Sequence, residues 1–346
     1  MICKSCLMPD TRPDTEFVDG ECSACISYRN RPQVDWHQRH QELMQLLDRF
    51  NGECIVPSSG GKDSTAQVIK LKRLGADVTI VTARTCMLTD IGRKNIDNLS
   101  RYARTIEVVP NMAERADLNR IGLETVGDIS LPEHWAIFAT PFRMAVDLGI
   151  PLIMYGECPQ NQYGGPIGSE KARQLTRRWV HEFGGFNGLR PSDIEGYDMT
   201  FYTLPDNLDG IEAHFLGAYM PWDSHENAEL AMEHGMQTFG EPPGPANWWK
   251  WENLDNAQTG IHDRFMWLKY GYSRCTAQLS VDIRSGRLKR KWAVTSDKLR
   301  IGRFPNEYAG VPFEAVLEHI GMNRERYNQL ERQFYARHES DTAASM

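Results

Sequence analysis

The sequence predicts an α/β protein built on an open parallel sheet, with a metal-stabilised module before the sheet and a mostly helical region after it. Three observations predict this fold: two CxxC pairs in the first thirty residues, short apolar runs that alternate with helical patterns, and helical patterns that dominate later. Such alternation is typical of parallel strands joined by helical crossovers. We expect four segments, at 1–30, 31–183, 184–338 and 339–346, the last being a disordered tail.

Length and composition exclude several classes of protein. The chain has 346 residues, of which 41% are hydrophobic, and this is enough for a large core or a few modules. It contains no run of 18 apolar residues, so we expect no membrane span. The opening MICKSCLMPD lacks the pattern of a secretory signal, so we expect a cytoplasmic protein. The net charge of −7 argues against a nucleic-acid partner, which usually needs a basic face.

The first four cysteines have the spacing of metal ligands. Cys3 and Cys6 form one CxxC pair, and fifteen residues separate it from the second pair, Cys22 and Cys25. Two such pairs complete a tetrahedral set of four sulfurs, which suits a structural zinc ion and leaves no open position for catalysis. The sequence therefore predicts a zinc ribbon over 1–30. The alternative is four free or disulfide-bonded cysteines.

A glycine-rich loop follows the first predicted strand of the sheet. The stretch CIVPSSGGKDST spans 54–65, between a predicted strand at 53–57 and a predicted helix at 65–74. The next strand is predicted at 77–82, which completes a β-loop-α-β unit. The loop then lies at the amino end of a helix, where backbone N–H groups and the helix dipole favour an anion.

The order of residues in this loop, SGGKDS at 59–64, fits neither GxxxxGK[ST] nor GxGxxG. It resembles the SGGxDS loop of the PP-loop ATP pyrophosphatases, which cleave ATP between the α and β phosphates. The resemblance implies a Rossmann-like PP-loop sheet of the HUP type. It assigns ATP binding to Ser59, Gly60, Gly61, Lys62, Asp63 and Ser64. The alternative is an ordinary glycine turn.

Three of these loop residues are expected to take part in catalysis. Lys62 supplies positive charge, Asp63 is a candidate Mg²⁺ ligand, and Ser64 offers a hydroxyl donor. The two glycines allow the backbone to approach the phosphates closely.

Two other strand ends are expected to contribute to the same site. In the family that the loop resembles, adenine docks after the second strand, which here corresponds to Ala83 and Arg84. A further strand is predicted at 152–156 and ends at Gly156 and Glu157. Ligands of open α/β sheets bind at the carboxyl ends of strands, so we expect both residues to face the same crevice. The alternative is an ordinary strand-to-loop turn.

Five segments resemble the N-acetyl sugar amidotransferases, a family that includes the WbpG type and the pseudaminic and legionaminic acid enzymes. They are CKSCLMPDTRP (3–13), SSGGKDS (58–64), YGECPQNQYGG (155–165), FLGAYMPW (215–222) and NLDNAQTGIHDR (253–264). The resemblance runs from Cys3 to about Gly321. One departure is Cys158, which stands where the family pattern has asparagine.

The resemblance implies an ATP-dependent reaction that converts an acetamido group of a sugar, free or nucleotide-linked, into an acetamidino group. The amide oxygen attacks the α-phosphorus of ATP, an O-adenylated imidate forms, and ammonia displaces AMP. The chain has no G-[IVL]-C-x-G elbow and no cysteine at position 2, so we expect no glutaminase in it. The resemblance suggests a HisH-like glutaminase and a HisF-like ammonia channel as partners, in surface polysaccharide or nonulosonic acid biosynthesis.

The later half of the chain supplies candidate substrate contacts. Helices are predicted at 223–234, at 259–270 and from 312 toward the tail, and loops at 184–188 and 239–245. The candidates are His262, Asp263, Arg264, Trp249 and Arg274. The alternatives are a solvated helix face for the first three, a core position for the tryptophan and ordinary surface charge for Arg274.

Two other functions compete with this interpretation. One is a zinc-ribbon PP-loop tRNA thiolase, for which Cys86, Cys158 and another cysteine would gather around a cluster. The other is a nucleotide-binding subunit without catalysis. The acidic charge and the lack of further CxxC pairs count against the thiolase.

Overall fold

The computed structural model describes residues 1–166, 168, 171–184 and 188–344. Within these ranges the chain forms a small amino-terminal module, a parallel sheet flanked by helices, and a helical carboxyl-terminal region. The predicted α/β class with a parallel sheet is therefore confirmed. Residues 185–187 of the loop predicted at 184–188 lie outside the described residues.

The amino-terminal module is a hairpin followed by a short helix. It consists of β1 (Phe17–Val18), β2 (Glu21–Cys22) and α1 (Ser23–Arg29). The two strands pair antiparallel, with Phe17 opposite Cys22. This arrangement brings the second CxxC pair to the turn between a strand and a helix.

The central sheet has five parallel strands. They are β3 (Glu53–Pro57), β4 (Asp77–Ala83), β5 (Arg104–Val108), β6 (Leu152–Tyr155) and β7 (Glu212–Phe215), in the order β5-β4-β3-β6-β7. The strands predicted at 53–57, 77–82 and 152–156 agree with the structure to within one residue at each end. Strand β7 was not predicted. It lies after the predicted domain boundary at residue 183 and pairs with β6, which lies before that boundary. The sheet therefore extends past the domain boundary that the sequence predicts.

Helices cover both faces of the sheet. The helices of this part of the chain are α2 (Trp36–Arg49), α3 (Lys62–Arg73), α4 (Asp90–Leu99), α5 (Met112–Val126), α6 (Leu131–Leu148), α7 (Pro159–Tyr163), α8 (Arg177–Phe183) and α9 (Ser224–Glu233). Ile55 packs in one core with Trp135 and Phe142 of α6, whereas its neighbour Val56 packs in another core with Leu43 of α2. Successive side chains of a strand point to opposite faces, so the sheet is buried on both sides.

The carboxyl-terminal region has its own aromatic core. Its elements are α10 (Thr259–Tyr270), α11 (Arg274–Arg284), α12 (Arg290–Lys298), β8 (Glu307–Tyr308), β9 (Val311–Pro312), α13 (Phe313–His319) and α14 (Arg324–Ala344). The rings of Phe313 and Tyr327 lie 4.7 Å apart, and Phe265 of α10 packs 5.7 Å from Tyr327. This core fastens the last two helices to α10.

The predicted helices of the later half are confirmed, with one difference. Asp223 caps α9, because its carboxylate accepts the backbone N–H groups of His225 and Glu226. The helix predicted from 312 onward is divided in two, and Gly321 in the break has a φ of +66°. Helix α14 extends to Ala344, and residues 345–346 of the predicted disordered tail lie outside the described residues, so disorder over 339–346 stays a prediction.

Across the described part of the chain, no helix has the combination of length and apolar character that a membrane span requires.

Candidate functional site

Serine side chains hold the glycine-rich loop against the amino end of α3 through hydrogen bonds. Ser58 Oγ accepts the backbone N–H of Gly60 at 3.0 Å and lies 2.8 Å from Ser64 Oγ. Helix α3 begins at Lys62, three residues before its predicted start, so Lys62, Asp63 and Ser64 form its first turn. The loop thus sits at the carboxyl edge of the sheet and at the positive end of a twelve-residue helix.

The two glycines of the loop have different structural roles. Gly60 has a φ of +80°, and a Cβ on it would lie 2.8 Å from the backbone nitrogen of Ile96. Gly61 has an ordinary φ of −75°, and a Cβ there would meet only Ser59 Oγ, at 3.6 Å. Gly60 therefore lets the loop pack against α4, whereas Gly61 leaves open space beside the loop backbone. This open space and the N–H groups of the first turn of α3 fit a phosphate chain.

Lys62 is a buried cation in contact with carboxylates. Its side chain is 5% exposed, and its Nζ lies 2.6 Å from Oδ2 of Asp63 and 3.7 Å from Oε1 of Glu252. Burial alone would lower the pKa of Lys62, but the charges of Asp63, Glu252 and Glu157 outweigh it and raise the pKa above its usual value. The lysine is therefore charged at neutral pH.

The carboxylates around Lys62 are in unequal electrostatic environments. Burial and the nearby charge of Asp63 raise the pKa of Glu157 to about 7. Burial would also raise the pKa of Glu252, but the charges of Lys62 and Arg274 keep it below its usual value. Burial raises the pKa of Asp255 to about 6. Crowded carboxylates of this kind favour a bound cation, and their oxygens suit Mg²⁺.

A single cleft with a volume of about 500 Å³ brings the loop together with the later half of the chain. Segment 251–256 forms one wall of this cleft. It is joined to the turn after β4 by an antiparallel bridge between Leu88 and Asn256, and the backbone N–H of Thr89 donates to the carbonyl of Asp255. The cleft therefore has walls from both the sheet and the carboxyl-terminal region.

The structure brings most of the predicted nucleotide-site residues to this cleft. Those lining it are Ser59, Gly60, Gly61, Lys62, Asp63, Ser64, Ala83, Gly156 and Glu157. Arg84 does not line it, because its guanidinium forms an ion pair with Glu107 at 3.1 Å. The structure therefore does not bring the Arg84 side chain into the cleft with the other predicted residues, and its part in the site stays a prediction.

The predicted substrate residues divide into two groups. His262 and Arg274 line the cleft, and buried Asp263 holds Arg274 through bonds to its Nε and Nη2. Arg264 lies elsewhere, where it pairs with Glu331 at 2.7 Å and stacks on Trp267. The guanidinium of Arg264 links α10 to α14, so the structure does not bring it to the cleft with His262 and Arg274.

Trp249 is a core residue and not a cleft residue. It is 2% exposed, and its Nε1 donates to Asp282 at 3.0 Å. Trp251 is stacked against it, with ring centroids 6.0 Å apart and planes at 20°, and Trp251 lines the cleft. The tryptophan available to a ligand ring is therefore Trp251, two residues after the predicted one.

The four amino-terminal cysteines form the predicted metal-binding group. Their sulfurs lie within 4.8 Å of one another and all four residues are buried. The Cys3–Cys25 and Cys6–Cys22 sulfur separations are 3.9 and 3.6 Å. A tetrahedral ion with Zn–S bonds of about 2.3 Å places its sulfurs about 3.8 Å apart, so this geometry fits zinc.

Helix α10 and the cleft wall at 251–256 belong to a region with a recognisable relationship to other proteins. Residues 233–342 match the family model described as LPS biosynthesis protein WbpG-like, C-terminal domain. This WbpG-like domain covers about a third of the chain and contributes Trp251, Glu252, Asp255, His262 and Arg274 to the cleft. The match supports the WbpG-type resemblance seen in the sequence. No curated protein matches the chain.

Sequence reasoning missed several residues that shape the cleft. Asn227 of α9 donates to Oδ1 of Asp63, and Glu252 contacts Lys62 and accepts the hydroxyl of Tyr163 at 3.0 Å. His134 of α6 also lines the cleft. Glu252 is adjacent to the tryptophan-rich stretch and to the segment at 253–264, and this was the one available signal for it.

Proposed function

We propose that the chain is an ATP-dependent amidotransferase, which forms AMP and pyrophosphate while it converts an acetamido group of a sugar into an acetamidino group. The observation that carries this proposal is the shared cleft. One wall is the loop at 58–64, whose sequence resembles that of ATP pyrophosphatases, and the other belongs to the WbpG-like domain. A lipopolysaccharide-type family indicates sugar chemistry, and the loop indicates where ATP would be cleaved.

In the first half of the reaction, the amide oxygen forms a bond to the α-phosphorus and pyrophosphate leaves with the electron pair of the broken P–O bond. Lys62 and the N–H groups at the start of α3 would stabilise the charge that develops on the leaving group. Glu252 and Asp63 hold Lys62 in place from two sides. Enclosing the sugar beside the α-phosphate makes the attack effectively intramolecular.

In the second half, ammonia attacks the adenylated carbon and AMP departs with the former amide oxygen. The WbpG-like domain supplies the groups for the sugar, with Trp251 as a surface for a ring and Arg274 as a partner for a phosphate or carboxylate.

Two metal ions belong to this proposal. Mg²⁺, held by Asp63 and Glu157, would neutralise phosphate charge. Zinc, held by Cys3, Cys6, Cys22 and Cys25, would be structural, because four sulfurs leave it no open position. The proposed partners are a HisH-like glutaminase and a HisF-like ammonia channel, and the proposed location is the cytoplasm.

The cysteine positions favour this function over a tRNA thiolase. Among the described cysteines, only the four of the amino-terminal module lie close enough together to share a metal ion. Cys86 contacts His319 and Cys158 contacts Gln160, so neither joins a second cluster.

The test is to incubate the purified protein with ATP, Mg²⁺, an ammonium salt and a panel of acetamido sugars that are free, UDP-linked or CMP-linked. AMP and pyrophosphate should form together with a sugar product that is slightly lighter, since NH replaces O. Lys62→Ala should abolish AMP formation, whereas Lys72→Ala, an exposed lysine on the same helix, should retain it. ADP and phosphate as products would exclude the proposal, and ATP binding without turnover would favour a non-catalytic subunit.

A further inference from the structure

Two histidines of the cleft meet a buried aspartate behind them, in a His–Asp–His cluster that the adenylation step does not use. Asp128 lies in the turn between α5 and α6, His134 in α6 and His262 in α10 of the WbpG-like domain. Nδ1 of His262 is 2.8 Å from Oδ1 of Asp128, and Nδ1 of His134 is 3.6 Å from Oδ2. Both imidazoles line the cleft, and their rings meet edge to face at 5.5 Å.

Asp128 fixes the tautomer of His262. Burial would raise the pKa of Asp128, but its contacts with His262, His134 and Lys269 hold it well below its usual range. An ionised carboxylate only accepts hydrogen bonds, so the neutral imidazole must donate from Nδ1. The lone pair is then on Nε2, and this nitrogen has no hydrogen-bond partner among the residues that the structure describes.

The surroundings favour proton transfer at His262 over His134. His134 lies beyond hydrogen-bond distance of Asp128, and burial is the main cause that lowers its pKa. The charged groups that face the cluster are Lys269 toward Asp128, and Glu133 and Arg274 toward His134. Of these two histidines, only His262 has a carboxylate within 3 Å to stabilise the imidazolium that forms when it takes a proton.

We propose that His262 accepts the proton of the attacking nitrogen in the second half of the reaction, with Asp128 as its positioning residue. This inference rests on the proposed function. Ammonia forms a C–N bond to the adenylated carbon, and the new ammonium group gives one proton to Nε2. The nitrogen lone pair then expels AMP, whose oxygen keeps the electron pair of the broken C–O bond. The product is the amidine, and the imidazolium loses its proton to water.

The two half-reactions can be measured separately. Sugar-dependent exchange of labelled pyrophosphate into ATP reports adenylation, and mass spectrometry of the sugar reports amidine formation. The acetamido sugar used is the member of the panel with which the wild type forms AMP. His262→Asn retains a donor to Asp128 but lacks Nε2. We expect exchange within about twofold of the wild type and amidine formation lowered by about 100-fold or more, the usual contribution of a positioned base.

A matched control is His214→Asn. His214 is also buried and pairs with a carboxylate, Glu212, at 2.9 Å, but it does not line the cleft. The His214→Asn variant should retain the wild-type ratio of pyrophosphate exchange to amidine formation. If His262→Asn loses both half-reactions equally, or neither, the inference is wrong while the proposed function stands. If the wild type shows no sugar-dependent exchange with any panel member, both are wrong.

Two further measurements keep the inference testable should His262→Asn fold poorly. In the wild type, at a pH where the imidazole is neutral, ¹⁵N NMR should show the proton of His262 on Nδ1, and Asp128→Asn should change that tautomer population. Added imidazole should restore amidine formation to His262→Gly by about tenfold or more, because the missing base is supplied in solution. An Nε2–H tautomer in the wild type, or no rescue in a folded variant, would overturn the assignment.

Discussion

Nδ2 of Asn227 donates a hydrogen bond of 3.0 Å to Oδ1 of Asp63, across 164 residues of sequence. The other oxygen of the same carboxylate accepts Lys62 at 2.6 Å. Asn227 is fully buried, and its own Oδ1 accepts Lys70 at 2.7 Å. Helix α9 therefore fixes the orientation of a carboxylate that the loop itself holds on one side only.

Removing this contact should affect both stability and activity. In Asn227→Ala, Asp63 and Lys70 lose a partner, and the free energy of unfolding should fall by about 1–3 kcal/mol. The rate of AMP formation should fall by more than the loss of folded protein accounts for, because Asp63 loses the contact that fixes its second oxygen. Asn98→Ala is the control, since it removes a similar bond, to the carbonyl of His234, away from the cleft. Equal losses of AMP formation in both variants would contradict a specific role for Asn227.

The two loop glycines should respond differently to a methyl group. Gly60→Ala should lower the free energy of unfolding by about 1–3 kcal/mol, because it combines a positive φ with a clash against the backbone of α4. Gly61→Ala should leave stability within about 0.5 kcal/mol, since its φ is ordinary and the space beside it is open. We expect both to weaken ATP binding, measured by calorimetry. A Gly61→Ala protein with wild-type affinity would mean that the phosphates do not approach this part of the loop.

The raised pKa of Glu157 predicts a pH dependence of stability in the absence of ligand. The pKa of Glu157 is about 7 in the folded protein, against 4.5 for an unperturbed glutamate. Between pH 4.5 and about 7 the folded protein therefore binds a proton that the unfolded chain has released. The resulting contribution is complete below about pH 4.5 and is lost as the pH rises through about 7. Thermal melts from pH 5 to 8 should decline less in Glu157→Gln than in the wild type. Mg²⁺ with ATP should reduce the decline in the wild type, and identical slopes in the two proteins would contradict the assignment.

Loss of the metal should destabilise α12 as well as the amino-terminal module. Arg290 of α12 donates to the carbonyl oxygens of Cys6 and Cys3, at 2.9 and 3.3 Å. In Cys22→Ser, zinc content should fall from about one per chain toward zero, and hydrogen exchange should accelerate in both 1–30 and α12. Cys54→Ala, also a buried cysteine, should retain the metal. Unchanged exchange in α12 would show that the module is not coupled to it.

The sheet and the loop could be predicted because their signals are local. Short apolar runs and the residue order of the glycine-rich loop are recognised within a few residues of sequence, and the strands so predicted agree closely with the structure. Strand β7 has the sequence EAHF, which lacks an apolar run, and its position at the sheet edge is set by pairing with β6.

The cleft residues that were missed depend on contacts distant in sequence. Glu252 reaches Lys62 only because segment 251–256 pairs with the turn after β4. Trp249 and Trp251 are indistinguishable by residue type, and the path of the chain alone decides which ring is buried on Asp282 and which faces the cleft. Arg264 and Arg274 differ in the same way, since their acidic partners, Glu331 and Asp263, determine what each guanidinium can reach.

The bridge between Leu88 and Asn256 has a consequence for synthesis on the ribosome. All five strands of the sheet are complete once residue 215 has emerged, so the loop at 58–64 can form early. The wall that Asn256 closes is added only some forty residues later. A nascent chain would therefore expose the loop before the cleft is enclosed, so a ligand that needs both walls could not be held until the segment around Asn256 has been translated.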